Sequence, residues 1–148
     1  MFDERGGDTR LGAARAALAA AESKLGISPN ARGKIGLFEG TRADLYRSAA
    51  RAQGEAAWCT MIALPDVGWE CASACGMALE RVIYLPDVTG AAASVLAACI
   101  DAVDVIVAGP LELTPSQARR LSARAFVRGV TVLATSPWPG VASGEQVG

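Results

Sequence analysis

The chain has 148 residues, 14 basic against 15 acidic for a formal charge of −1, and 51% of it is hydrophobic against 20% charged. One domain with an ample aliphatic core is expected at this size, and a disordered, collagen-like or highly charged tail protein is excluded. Histidine is absent, which removes histidine acid–base catalysis, the Ser-His-Asp arrangement and most zinc sites together.

Near-neutral charge argues against a surface built wholly for nucleic acid and leaves only a local basic patch open. No apolar run reaches the ~18–20 residues of a membrane span. The opening Met-Phe-Asp-Glu-Arg-Gly-Gly carries acidic charge where a signal peptide would carry positive charge and a greasy run, so a cytoplasmic location is expected. The cysteines are Cys59, Cys71, Cys75 and Cys99. Their spacing fits no zinc or iron–sulfur pattern, and they read as small buried apolar residues.

In chain order, residues 1–33 form an N-terminal helix and a connector. Leu11, Ala14, Leu18, Ala21 and Leu25 recur at helical spacing, Asp8 or Thr9 can cap the start, and Gly26 sits where a C-cap would stop it. Pro29 and Gly33 punctuate the connector. The core, residues 34–140, opens with a strand over Lys34–Glu39 and a helix from about Ala43 to Gln53. A strand over Trp58–Pro65, a helix over Trp69–Cys75 ended by Gly76, and a strand over Arg81–Pro86 follow. Next come a helix over Ala91–Ala102, a strand over Val103–Ala108, a helix begun by Thr114-Pro115-Ser116-Gln117 and running to Arg128, and a strand over Val130–Thr135. Residues 141–148 are expected to fray. Continuously apolar strands alternating with helices imply an α/β fold, an open, mainly parallel sheet of about five strands flanked by helices, with strands buried on both faces.

In such a sheet ligands sit beyond the carboxyl ends of the strands. A phosphate-binding loop there needs a glycine-rich turn ending in Gly-Lys-Ser/Thr, because backbone N–H groups cradle the phosphates, lysine meets their charge and a hydroxyl holds magnesium. The loop after the first strand is instead Glu39-Gly40-Thr41-Arg42-Ala43-Asp44, without lysine. Asp44 in the first turn suits the helix dipole and takes the place a phosphate would want. The fourth strand ends Val105-Ile106-Val107-Ala108-Gly109, without the aspartate that holds magnesium in nucleotide hydrolases.

Cys59 to Pro115 resembles the core of the RecA recombinase family. The likeness is carried by a cysteine-led strand, a short helix ending Cys75-Gly76-Met77, Arg81-Val-Ile-Tyr-Leu-Pro, and Val103-Asp-Val-Ile-Val followed by Leu113-Thr114-Pro115. The closing segment, Arg119-Arg-Leu-Ser-Ala-Arg-Ala, Arg128-Gly129, an apolar strand and Trp138-Pro139-Gly140, is similar to the actinobacterial ImuA-type proteins. The likeness spans roughly Lys34 to Gly140. It implies a RecA-like accessory factor of a damage-induced mutagenic polymerase system, with a translesion-polymerase-type protein as partner. It also implies self-association through the leader helix at Leu11, Leu18 and Leu25. The family's nucleotide loop falls at Gly40, Thr41, Arg42 and Asp44 and its magnesium aspartate at Ala108–Gly109; neither is kept, so no cofactor and no catalytic residue is expected. Its catalytic glutamate falls near Pro65-Asp66.

The resulting expectation is a non-catalytic scaffold acting by protein–protein binding. The alternatives are a divergent ATPase using Asp66 and the backbone of Gly40-Thr41, and a cell-division inhibitor on the same fold. Arg119, Arg120, Arg124 and Arg128 form a cationic stripe on one helix, either a phosphate-tracking or partner surface or a merely solvated face; Arg42, Arg47 and Arg51 present the same choice. Cys71 and Cys75, four apart, read as core residues facing the sheet, with no flanking base to lower their pKa. Asp101 and Asp104 read as capping and solvating groups, and Trp58, Trp69 and Trp138 as rings closing the core.

Overall fold

The computed structural model describes residues 35–141. The expected leader helix with Leu11, Leu18 and Leu25, the connector to Gly33 and residues 142–148 of the expected tail lie outside them.

Five short strands alternate with four helices: β1 Ile35–Leu37, α1 Arg42–Gln53, β2 Cys59–Ile62, α2 Trp69–Ala74, β3 Val82–Leu85, α3 Ala92–Ala102, β4 Val105–Ala108, α4 Pro115–Arg128 and β5 Thr131–Ala134. A 3₁₀ turn, Leu79–Arg81, leads into β3. The strands form one sheet in the order β1-β5-β4-β2-β3, every pairing parallel. The α/β architecture anticipated from the apolar runs is therefore present, and it is compatible with a RecA-like core.

Alternation along each strand builds two cores. Ile106 and Ala108 of β4, Ile62 of β2 and Val132 and Ala134 of β5 face α3 and α4, which contribute Leu96, Ile100, Leu121 and Ala125. Val105 and Val107, Cys59 and Met61, and Leu133 face α1 and α2, which contribute Leu45, Tyr46, Ala49 and Ala72. A strand with a helical layer on each side has no solvent face, which is why β2 and β4 are apolar at nearly every position. Thr114 and Gln117 close a reciprocal capping box at the start of α4, and Gly129 ends it in the left-handed conformation at φ 71°.

Three sequence expectations need correction. β3 is not buried on both faces: it lies at the sheet edge, its residues are half-buried or exposed, and Ile83 is 39% exposed. Hydrophobicity alone does not show which strand ends a sheet. Trp138 closes the core at 5% exposure, but Trp58 is 45% exposed, and the exposed Trp69 ring stands edge-on to Tyr84 at 5.1 Å between centroids. Cys59 and Cys99 are buried, whereas Cys71 is exposed and Cys75 half-buried. Only Ala72 of α2 is buried, because this helix is too short to turn more than one side chain into the core.

Candidate functional site

The carboxyl ends of β1, β2, β4 and β5 border an open cleft of about 510 Å³, lined by Phe38, Gly40, Thr41, Arg42, Pro65 and Ser136 among others. This is where an open parallel sheet places a ligand. The chemistry within it is set by how the loop after β1 enters α1.

Gly40 adopts φ 153°, and a Cβ there would stand 3.1 Å from the Phe38 ring and 3.3 Å from the Asp44 carboxylate. Only glycine lets the loop turn so tightly over that ring. The next residue caps the helix: Thr41 Oγ1 accepts from Asp44 N at 3.1 Å, while Thr41 N donates to Asp44 Oδ2 at 3.2 Å. Thr-x-x-Asp is capping-box spacing, and this signal at residues 41–44 was present in the sequence. Arg47 donates to Asp44 Oδ1 at 2.6 Å. The Arg47 guanidinium, then Thr41, hold the Asp44 carboxyl below its usual range. The start of α1, the point where a bound phosphate would find free N–H groups and positive dipole, therefore already carries an ionised carboxylate from its own chain.

Arg42 does not reach into the cleft as a free cation. Its Nη1 donates to Pro65 O at 2.9 Å and to Asp66 O at 3.4 Å, tying α1 to the loop after β2. Asp66, the only residue at the glutamate position implied by the resemblance, takes a positive φ of 53° and is exposed. What Arg42 touches is its carbonyl.

Gly109 supplies the feature that sequence reasoning missed. Its N–H donates to Ile62 O at 2.8 Å, and a Cβ built on it would stand 2.0 Å from Ala63 O. Real carbon and oxygen atoms do not approach so closely, so the backbone of β2 excludes every side chain at the end of β4. Just past the end of β4 the chain therefore has room for glycine alone. Ala108, one residue earlier, is fully buried.

The arginine stripe on α4 is divided. Arg124 grips Asp101 of α3 with two hydrogen bonds, Nε at 2.9 Å and Nη2 closer still. Arg128 donates to Asp101 O at 3.0 Å and lies 3.7 Å from its carboxylate. Arg124 first, and Arg128 after it, keep the Asp101 carboxyl below the usual range. Asp101 is therefore an inter-helix ion-pair partner, correcting its reading as a capping group. Arg119 and Arg120 stay exposed with no ion pair among the described residues. On α1, Arg47 and Arg51 are spent on Asp44 and Ser48.

Of the residues singled out in the sequence, the structure gathers Gly40, Thr41, Arg42 and Asp44 around one cleft; Arg119, Arg120, Arg124 and Arg128 share a helix elsewhere. Among the described residues no group of three or more potential metal ligands occurs, and no helix is long and apolar enough to cross a membrane.

Residues 26–140 match the MT3502 N-terminal domain. The chain belongs to that family. The matched span holds all five strands of the sheet, both sides of the cleft and Gly109. Among curated proteins no match to the chain is found.

Proposed function

We propose that this member of the MT3502 N-terminal domain family is a non-catalytic, RecA-like scaffold in DNA-damage-induced translesion mutagenesis, binding a translesion-polymerase-type protein or further copies of itself. The observation that carries the non-catalytic part is a pair of occupied positions, one at the start of α1 and one just past the end of β4. Asp44 stands at the helix start where phosphate would bind, and the Ala63 carbonyl stands where a magnesium-holding side chain would begin. The first opposes an anion at the helix start, and the second keeps a metal-holding side chain from position 109.

The binding part rests on exposed apolar side chains that the core does not use. Phe126 and Val127 near the end of α4 are 61% and 83% exposed, and Ile83 on the edge strand β3 is 39% exposed. Two adjacent exposed apolar side chains on α4 and one on an unpaired strand edge are the candidate contact points for a partner. The damage-response setting and the polymerase partner are drawn from the likeness of the closing segment Arg119–Gly140 to the ImuA-type proteins.

Calorimetric titration with Mg-ATP tests the first part: no binding heat is expected, whereas even a micromolar site, about −8 kcal/mol, would be measured readily and would restore the ATPase reading. Capture of a translesion polymerase by the full chain tests the second. Charge reversal at Arg120, Arg124 and Arg128 is to be compared with Ile83→Asp and Phe126→Asp. Capture that survives all of these changes removes the surfaces named here as the interface.

A further inference from the structure

The last turn of α2 presents two thiols side by side. Cys71 and Cys75 are one helical turn apart, and their Sγ atoms lie 4.0 Å from each other. Both are free, Cys71 exposed and Cys75 half-buried, and the inward side of this helix is filled by Ala72 instead. Cys75 packs its inner side against the core, whereas the exposed Cys71 has no place in it. A disulfide would require the sulfurs to close to about 2.05 Å, pulling against the helical bond from Cys75 N to Cys71 O at 2.9 Å. Two metal–sulfur bonds of about 2.3 Å each, by contrast, can span up to about 4.6 Å, so an ion fits between the sulfurs where they stand.

The surroundings narrow the choice of ion. Arg47 reaches across from α1 and brings Nη1 to 3.9 Å from Cys75 Sγ. It is fixed there by Asp44 at 2.6 Å. With its charge already met by Asp44, Arg47 leaves the choice of ion to the number of ligands. No third histidine, cysteine, aspartate or glutamate joins the pair among the described residues. That excludes the closed four-ligand shell of structural zinc but suffices for a soft ion satisfied by two sulfur ligands.

We propose that Cys71 and Cys75 form a two-thiolate site for a soft monovalent metal ion of the copper(I) class. Binding replaces two S–H bonds by two sulfur–metal bonds, releases both protons to solvent and changes no oxidation state. The thiolate is the ligand form; desolvation and the neighbouring Cys75 hold the Cys71 thiol above its usual range, so metal must displace its proton and retention should weaken as pH falls.

The test uses the full chain, kept anaerobic with ascorbate and titrated with copper(I) against the coloured chelator bicinchoninate. One copper per chain is expected to be retained. Cys71→Ser and Cys75→Ser should each weaken retention about tenfold or more. Cys59→Ala and Cys99→Ala, at buried thiols away from the pair, should leave it unchanged. Independently of any variant, bound copper should protect Cys71 and Cys75 of the unaltered chain from iodoacetamide, read peptide by peptide in a mass spectrometer. The proposal is overturned if the unaltered chain retains no copper, if both serine variants retain it undiminished, or if Zn²⁺ is held more tightly than copper(I) under the same conditions.

Discussion

The two faces of the sheet are held by different means. On one, α3 and α4 are long enough to give whole apolar stripes to the core, and their outer contact is the exposed ion pair of Asp101 with Arg124. On the other, α2 is a helix of 6 residues followed by irregular chain, and polar side chains do what a longer helix would do by packing. Buried Gln53 donates to Ala78 O at 3.1 Å and Arg81 O at 3.3 Å and accepts from Ala78 N at 2.9 Å. Tyr46 accepts from Gly68 N, Tyr84 donates to Leu64 O, and Arg81 donates to Ala57 O and Gly54 O. Where regular structure runs out, buried side chains satisfy the backbone groups it would otherwise have paired.

This contrast ranks the effects of substitution. Leu96→Ala, at a fully buried position on the packed face, should cost about 3 kcal/mol through lost contact and residual cavity, measured by urea unfolding. On the other face Gln53→Leu keeps volume and adds hydrophobicity, yet strands three backbone groups. A loss of about 2.5 kcal/mol is expected, and a neutral outcome would break the distinction between the faces. Tyr46→Phe, at another buried position, removes the single acceptor for Gly68 N and should cost about 1 kcal/mol.

The smallest effect belongs to the exposed ion pair. Arg124→Ala should lower the melting temperature slightly, and less so in high salt. Asp101 and Asp44 have pKa values depressed in the folded chain. Their contribution is therefore present above the unfolded carboxylate pKa of about 3.9 and fades as pH falls below it. Asp101→Asn should flatten part of that acid decline, and an unaltered acid profile would deny the pair any role.

Most of the sheet was legible from the chain. Runs such as Val105–Ala108 are apolar at consecutive positions, which only two-sided burial explains, and Pro115 and Gly129 punctuate α4 at its observed ends. The edge position of β3 was not legible, because strand order is a property of crossovers that hydrophobicity does not encode. The exposure of Cys71 and Cys75 escaped for a related reason: α2 is too short to show a period that would tell its inner side from its outer one. At the cleft, Thr41 and Asp44 announced their capping by spacing, whereas the fit of Gly109 against Ala63 joins residues distant in the chain and becomes visible only when β2 and β4 lie side by side.

The pairing of β1 with β5 carries a consequence for synthesis. Ile35 is held by Val132, so the first strand has no hydrogen-bonding neighbour until nearly the whole domain has been translated. During that interval the ribosome presents an apolar segment that must wait for its mate, the kind of long-range closure that slows folding. Chains released before Thr131 would leave that segment bare, making them natural clients for chaperones and proteases.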